Sequence, residues 1–570
     1  MAAHGGNRRL RALAGHLSFG RVVPVAAVDV IVETTTIMRD EGRDYSVGLL
    51  TSDQMRRFVR DGLVAVQLDD IPASVHQDYY ETAMRLDRSN KNTGGNSHEA
   101  NTPQALGGDL EEGMNQVFRS AKFHGALRSV LGPDFMIGNN WKDNGEIGYS
   151  YRMHVSNVGR DQGWHLDGTD HGNTQATVRD ILPRQVMMFY YPGGVSTRDM
   201  GPTACVRGSH YYNVDREGKR RSEDNLGSIT NVPTPEDFAL RDQWFSGSGP
   251  SIRALGRSKV LEDTRLVVPQ GSVVICGHHT YHRATRSVEG CQWRAMFKLN
   301  AARVSEPRIA GGPSWLNVGD TDSPHHAFDD PESMAHHGVW EGVWGWLKGQ
   351  EEAAAAQFHS PHSIEALRDT LATSNSEIDC VDAGYSLGLL VHKANTVADR
   401  EAALIALQRS FVSGRERSRR ASMHGFGAAG DAAVPFLLSQ LTFDDGEVED
   451  STSTEWQDDT DVRGRRFAQQ TRTVGALHAL GRCALNPSAD VVDGLINAID
   501  TAMDLISSAK GADVVVLLKD EDGPVFAADG FDWAALERRR AVSEASCSLG
   551  LVGQRLMAAA ATANAEQAVH

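Results

Sequence analysis

The sequence predicts a multidomain α+β protein, with a β-rich part over residues 48–305 and an all-α part over 336–570. Three observations lead there. At 570 residues the chain is too long for one core, so two or three domains are expected. Short apolar runs such as Gln185–Tyr191 and Val273–Ile275 stand between glycine-bearing turns, as strands do. Beyond a stretch rich in Pro, Gly, Asp and His at 306–335, which reads as a linker, the pattern turns alanine-rich and helical.

Composition narrows the class. Hydrophobic residues make up 40% and charged residues 23%, as in an ordinary globular chain. A net charge of -17 argues against nucleic acid and against an anionic membrane surface as partners. No stretch of about 18 apolar residues occurs, so no membrane span is expected. The six cysteines (205, 276, 291, 380, 483 and 547) form no Cys-x-x-Cys pair and read as reduced, buried thiols of an intracellular protein.

Residues 1–47 read as a targeting or flexible extension. Arg9-Leu10 and His16-Leu17 lie seven residues apart, two helical turns, on one face. This Arg-Leu-x5-His-Leu pattern resembles an N-terminal peroxisomal address, which a receptor reads. The alternatives are a mitochondrial presequence or a cytoplasmic chain with a plain tail.

The β-rich part opens with a helix over 53–60, capped by Thr51 or Ser52 and ended by Gly62. A strand at 63–66 and a helix over about 74–87 follow. Residues 88–110 read as a mobile loop, and another helix spans about 110–131. Strands near 134–141 and 147–156 lead into Gly163-Trp164-His165-Leu166-Asp167. On a strand, His165 and Asp167 point the same way, and an imidazole beside a carboxylate is two-thirds of a facial triad for Fe(II). Next come the strand Gln185–Tyr191, a short strand between the turns of Gly201-Pro202 and Gly208-Ser209, and a polar insertion or lid at 211–262. The buried strand after Gly271 leads to His278, His279 and His282, and Arg294 stands twelve residues after His282. His278 and His279 compete with His282 as third ligand, while His154 and His171 read as solvated loop histidines in preference to substrate contacts.

The order His-x-Asp, glycine-led strand ending in His, then Arg resembles the Fe(II)/2-oxoglutarate oxygenases, and within them the phytanoyl-CoA dioxygenase family, over residues 48–305. The resemblance implies a double-stranded β-helix (jelly-roll or cupin-like) core. It implies Fe(II) held by His165, Asp167 and His282, which the family's strand-to-His spacing favours over His278 and His279. It implies 2-oxoglutarate as co-substrate, with its distal carboxylate on Arg294, O2 as oxidant and ascorbate as a stimulant. An always-charged, bidentate guanidinium suits that carboxylate better than a lysine does. An Asp at 167, where halogenating relatives carry a small residue, implies hydroxylation. Ser272, Arg207 and Ser287 depart from the family pattern, so the substrate does not follow from the resemblance. A small molecule is expected; a peroxisomal address would favour a fatty acyl-CoA oxidised at C2.

In the α part, Trp340, Trp344 and Trp346 on one helix read as packing between domains. A small-residue phrase recurs, ending at Gly388, Gly427, Gly481 and Gly550, with gaps of 39, 54 and 69 residues. That predicts a short, degenerate HEAT-like stack, with a plain helical bundle as the alternative, interrupted by an acidic run at 444–461 and an insertion near 510–532 that contains Val514–Leu518. Such a domain serves self-association or a protein partner. The competing reading is a helical scaffold carrying a catalytically dead or redox-neutral cupin-type metal domain, against which the joint presence of His165, Asp167, His282 and Arg294 argues.

Overall fold

The structure, a computed structural model, describes residues 45–89, 116–156, 180–211, 263–307, 336–441, 472–508 and 519–569, with short gaps inside these spans. The N-terminal address, the 88–110 loop beyond Ser89, His165, Asp167, His171, most of the 211–262 insertion, the bulk of the linker, the acidic run and Val514–Leu518 lie outside the described residues.

Helix α1 (Ser52–Asp61) begins where a capping box predicts. The Thr51 hydroxyl accepts from the Gln54 N–H, and the Gln54 side chain accepts from the Thr51 N–H. Gly62, at φ 76°, ends the helix and turns the chain into β1 (Leu63–Gln67); a Cβ there would also strike His210. After α2 (Ala73–Ser89), the expected single helix over 110–131 is broken. Ser120 instead caps α3 (Ala121–Leu131), accepting from the Phe123 N–H while donating to Asp70. A serine that can satisfy an orphan donor favours a new helix start over continuation.

Ten further strands follow: β2 (Phe135–Ile137), β3 (Asn140–Trp141), β4 (Ile147–Gly148), β5 (Tyr151–Val155), β6 (Gln185–Tyr191), β7 (Thr203–Val206), β8 (Asp263–Arg265), β9 (Ser272–Gly277), β10 (His282–Ala284) and β11 (Ala295–Arg303). The large antiparallel sheet runs β1-β9-β6-β11-β2, with β5 also paired to β11, and the small one runs β10-β7-β8. From β5 the chain visits large, large, small, small, large, small and large sheet in turn. This alternation winds two antiparallel sheets into a jelly-roll-like core. Alternation along β6 assigns its faces: Val186, Met188 and Tyr190 pack toward α1–α3, whereas Met187, Phe189 and Tyr191 join Cys205, Val274, Cys276 and Met296 between the sheets.

The α part comprises α4 (His337–Leu347), α5 (Glu351–Gln357), α6 (Ile364–Thr373), α7 (Glu377–Lys393), α8 (Val397–Ser413), α9 (Glu416–Ala429), α10 (Val434–Ser439), α11 (Arg472–Cys483), α12 (Ala489–Ser508) and α13 (Trp533–Val569). Helices α7, α9, α11 and α13 pack successively side by side. Against them lies a second row, in which α6 touches α8 and α10 touches α12. The recurring glycines sit on the first row. Backbones there approach so closely that a Cβ on Gly388 would stand 2.2 Å from the Gly425 carbonyl oxygen.

The two parts are joined by buried charge. Arg482 of α11 binds Asp180 at 3.0 Å, and Asp180 also takes Arg184 at 2.8 Å. Glu306 pairs with Arg184 and, at 3.5 Å, with Arg555 of α13. Trp346 of α4 lies under the Arg184 and Arg303 guanidiniums at 5.1 and 4.8 Å, so this tryptophan does pack between domains. All six cysteines are free; Cys291 is half-buried and Cys547 exposed, against the expectation that every thiol is buried.

Candidate active site

His282 opens β10 and stands opposite Cys205 in β7, so its side chain enters the space between the sheets beside the Phe189 ring. Its Nδ1 donates to the Thr280 carbonyl at 3.0 Å, which leaves Nε2 as the lone-pair nitrogen. A carbonyl on the far ring nitrogen is the usual way of aiming a metal-binding imidazole. Lys298 Nζ donates to that Nε2 at 3.2 Å.

Arg294, at 1% exposure, immediately precedes β11. Its backbone N–H donates to the Ser156 hydroxyl at 2.8 Å. Nε donates to the Gly201 carbonyl at 2.7 Å and Nη1 to the His154 carbonyl at 3.5 Å. Gly201 can present that carbonyl because it sits at φ 71°, where a Cβ would fall 2.7 Å from the Thr285 oxygen. Among the described residues no carboxylate pairs with Arg294, so burial pushes its pKa down, with the Tyr191 hydroxyl as its polar neighbour. Burial likewise pushes Tyr191 well above the ordinary phenol value, and the Arg294 charge opposes this. Tyr191 Oη lies near the guanidinium and beside the Thr203 hydroxyl, and these two buried hydroxyls make no hydrogen bond to any other described residue. A buried cation with only carbonyl partners, beside a tyrosine hydroxyl, is an arrangement that an external carboxylate completes.

Strand β11 links these groups. Residues 294, 296, 298, 300 and 302 share the face between the sheets, opposite to Phe297 and Leu299. Lys298 thus lies about 13 Å along the strand from Arg294. Asn300 stands opposite Met187, and its buried Oδ1 accepts no hydrogen bond. Sequence reading overlooked Lys298, Tyr191, Thr203 and Asn300, although period-two alternation from Arg294 and along Gln185–Tyr191 could have found the first two.

The other histidines fall differently. His154 is no loop residue: it belongs to β5 opposite Met296, half-buried, because the strand pairs with β11. His278 and His279 lie past the end of β9 and line a cavity between the two domains. His165 and Asp167 lie outside the described residues, and among the described residues no three His, Cys, Asp or Glu side chains gather as a metal would require. Of the groups the sequence names, His282 and Arg294 therefore carry the structural test. A lone-pair Nε2 held by a carbonyl on Nδ1 fits a divalent metal, and the Arg294, Tyr191 and Thr203 cluster fits the carboxylate of a 2-oxo acid.

No protein-family model matches the sequence, and neither does any curated protein. Among solved structures the chain is similar to HygX from Streptomyces hygroscopicus with nickel and 2-oxoglutarate bound, at 13% identity over 45% of this chain and 88% of that one, with a TM-score of 0.29. It is similar to the non-heme alpha-ketoglutarate-dependent carbocyclase SnoK from nogalamycin biosynthesis, at 12% identity over 45% and 85%, with a TM-score of 0.29. EctD from S. alaskensis aligns at 16% identity over 45% and 78%, with a TM-score of 0.28. Likenesses this slight carry no weight for function, and the chain's own residues must bear it.

Proposed function

We propose that the chain is an Fe(II)- and 2-oxoglutarate-dependent oxygenase of the phytanoyl-CoA dioxygenase kind, hydroxylating an organic substrate with release of succinate and CO2. The observation that carries this reading is Arg294. It is a buried guanidinium without a described carboxylate partner, beside the Tyr191 hydroxyl, on the inner strand face that also brings Lys298 to His282. His282 Nε2 would hold the metal, with His165 and Asp167 as the other ligands from the sequence order. Bound Fe(II), with 2-oxoglutarate and O2, would supply the oxidising power that a protein side chain lacks. The residues of the chain bind and exclude. Arg294 and Tyr191 fix the distal carboxylate, Thr280 holds the imidazole tautomer, and the apolar row of Met187, Phe189 and Met296 keeps water out.

The peroxisome is the compartment we assign from Arg9-Leu10 and His16-Leu17, and with it goes an acyl-CoA as the first substrate to try. The two-row helical stack is consistent with a short HEAT-like array serving self-association or a partner. Anaerobic titration with Fe(II) and 2-oxoglutarate tests the enzymatic reading. A weak visible charge-transfer band is expected, and its absence would overturn it in favour of a helical scaffold with an idle β-domain.

A further inference from the structure

Two buried histidines of the helical domain stand behind the charges that join it to the jelly roll. His478 of α11 and His424 of α9 lie with ring centroids 6.1 Å apart and planes nearly perpendicular. His478 Nδ1 donates to the Glu544 carboxylate of α13 at 2.9 Å, which leaves the lone pair on Nε2. The Nε2 atoms of both rings are buried and have no hydrogen-bond partner among the described residues. A proton added to His478 would therefore create a buried cation whose new N–H has no acceptor.

The same groups build the seam between the domains. Arg482, one turn after His478, donates Nη1 to the His478 carbonyl at 3.0 Å and reaches Glu544 with it at 3.4 Å. Its Nη2 stands 3.0 Å from Asp180 on the jelly-roll side. Arg420 is the further cation near His424, and the Cys547 thiol near Glu544 and Arg482 stays protonated because burial pushes it up to about 11. A cavity of about 50 Å³ spans the seam, and His424 lines it with Met423, Arg482, Asp180 and Leu182. Glu351 and Glu352 of α5, Tyr385 and His392 of α7, Arg184 and Arg555 are its other titratable walls. Parting the domains therefore brings water to His424. Burial pushes both imidazoles below the ordinary value of 6.5, His424 to about 3. His478 and Arg482 add to this at His424, and Arg482 adds to it at His478 against the pull of Glu544. Asp180 differs: burial would raise it, but Arg482 and Arg184 hold it far below the usual carboxylate range, so it keeps its charge at pH 5.

We propose that His424 and His478 form an acid-sensitive latch between the two domains. Neutral, they leave Arg482 to bridge Asp180 and Glu544, and the seam closes. Protonated, they repel Arg482 and each other and require water, which the closed seam denies them, and the helical domain parts from the jelly roll. The closed form holds fewer protons than the open one. Closure is thus fully supported above 6.5 and weakens as pH falls from there toward 3. A histidine that is neutral when closed and titrates at 6.5 when open shifts the opening equilibrium about 30-fold between pH 7.5 and 5.0. The latch needs neither metal nor substrate and stands apart from the oxygenase reading.

Thiol labelling reads the opening. Met423→Cys and Leu182→Cys, made separately in the full-length chain, place one probe on each side of the cavity. Each is labelled with 4,4′-dithiodipyridine at pH 7.5 and 5.0 and followed site by site by mass spectrometry. Its rate is divided by that of the urea-unfolded chain at the same pH, which removes the pH dependence of the thiol chemistry itself. On acidification this ratio is expected to rise by about 30-fold or more at both sites. Cys205, buried between the sheets, is expected to stay protected. His424→Gln and His478→Gln each leave a polar side chain that takes no proton, and the second retains an N–H donor for Glu544. With both changes the rise should drop below about threefold, and with either alone it should fall in between. A flat ratio in the chain with both histidines, an equal rise in the doubly substituted chain, or a rise at one probe only would each overturn the latch. A rise at Cys205 as large as at the seam would overturn it too, since the whole fold would then be yielding to acid.

Discussion

Lys298 Nζ occupies the free side of His282, donating to Nε2 at 3.2 Å. That nitrogen is the one a metal would take, so a metal and the lysine compete for it. Two like charges about 4 Å apart repel by roughly 4 kcal/mol at an effective dielectric constant near 20. Lys298→Met keeps the bulk of the side chain and removes the charge. It should tighten Co(II) binding under anaerobic conditions by about 10- to 100-fold. Weaker binding would mean that Lys298 helps to build the metal site.

Arg294 governs the co-substrate. Replacing it with Met leaves the Gly201 and His154 carbonyls without its N–H groups and removes a buried cation. Truncating one partner of a buried charge pair costs about 2–5 kcal/mol, so 2-oxoglutarate affinity should fall at least 30-fold. Tyr191→Phe removes one neutral hydroxyl and should cost only about fivefold. Equilibrium binding by calorimetry separates the two. A Tyr191→Phe loss as large as that of Arg294→Met would move the anion away from the guanidinium.

How much of this was legible beforehand follows from range. The capping box at Thr51 and the turns at Gly62, Gly201 and Gly208 are local, and the sequence placed them correctly. Continuous apolar runs between turns placed β6 and the strand before His282. The hydroxyls of Tyr191 and Thr203 were hidden, because they precede Arg294 by 103 and 91 residues and their meaning depends on two sheets facing each other, which chain order does not reveal. The break at Ser120 was misread because a periodic apolar pattern continues through it, while the cap that interrupts it is completed by Asp70, fifty residues earlier. The interdomain ring of Asp180, Arg184, Glu306, Arg482 and Arg555 draws on four distant stretches and leaves no motif.

Asp180 holds that ring together. It accepts from Arg184 at 2.8 Å and from Arg482 at 3.0 Å. The two guanidiniums keep its carboxyl far below the usual range against the opposing effect of burial. Asp180→Ala leaves Arg184 with Glu306 alone and Arg482 with Glu544 alone, and breaking buried pairs costs about 3–5 kcal/mol. Thermal unfolding should shift downward accordingly and protease cleavage between the domains should accelerate. Asp180→Asn should lose most of the same stability, since an amide matches the shape and not the charge.

Gly388 on α7 tests the close approach of the first helical row. An added Cβ would stand 2.2 Å from the Gly425 oxygen and 2.8 Å from the Ala428 Cβ. Backbone cannot step aside as a side-chain tip can, so Gly388→Ala should destabilise despite alanine's better helix propensity, by about 1–3 kcal/mol. Gly550→Ala, where a Cβ meets no described residue within 4 Å, should instead be neutral or stabilising by several tenths of a kcal/mol to about 1 kcal/mol. Urea unfolding of both variants decides, and equal effects would place the recurring glycines outside the packing.

Asp382 on α7 is the group whose burial should appear in a pH profile. Burial raises its carboxyl from 3.8 to about 7, opposed by the N–H donors of Val339 and Gly338 at the start of α4. The folded chain therefore holds this proton more tightly than the unfolded chain does. Its contribution to stability is full below the unfolded value of 3.8, falls as pH rises, and is lost above about 7. The penalty carried at alkaline pH is up to about 4 kcal/mol. Asp382→Asn retains an oxygen for the Val339 N–H, 2.9 Å away in the parent, and has no proton to lose. The variant should match the parent near pH 4 and become progressively more stable than it up to about pH 7, with a constant difference beyond. Parallel denaturation curves across that span would mean that Asp382 is ionised in the folded protein throughout and that the α4 N–H groups outweigh its burial.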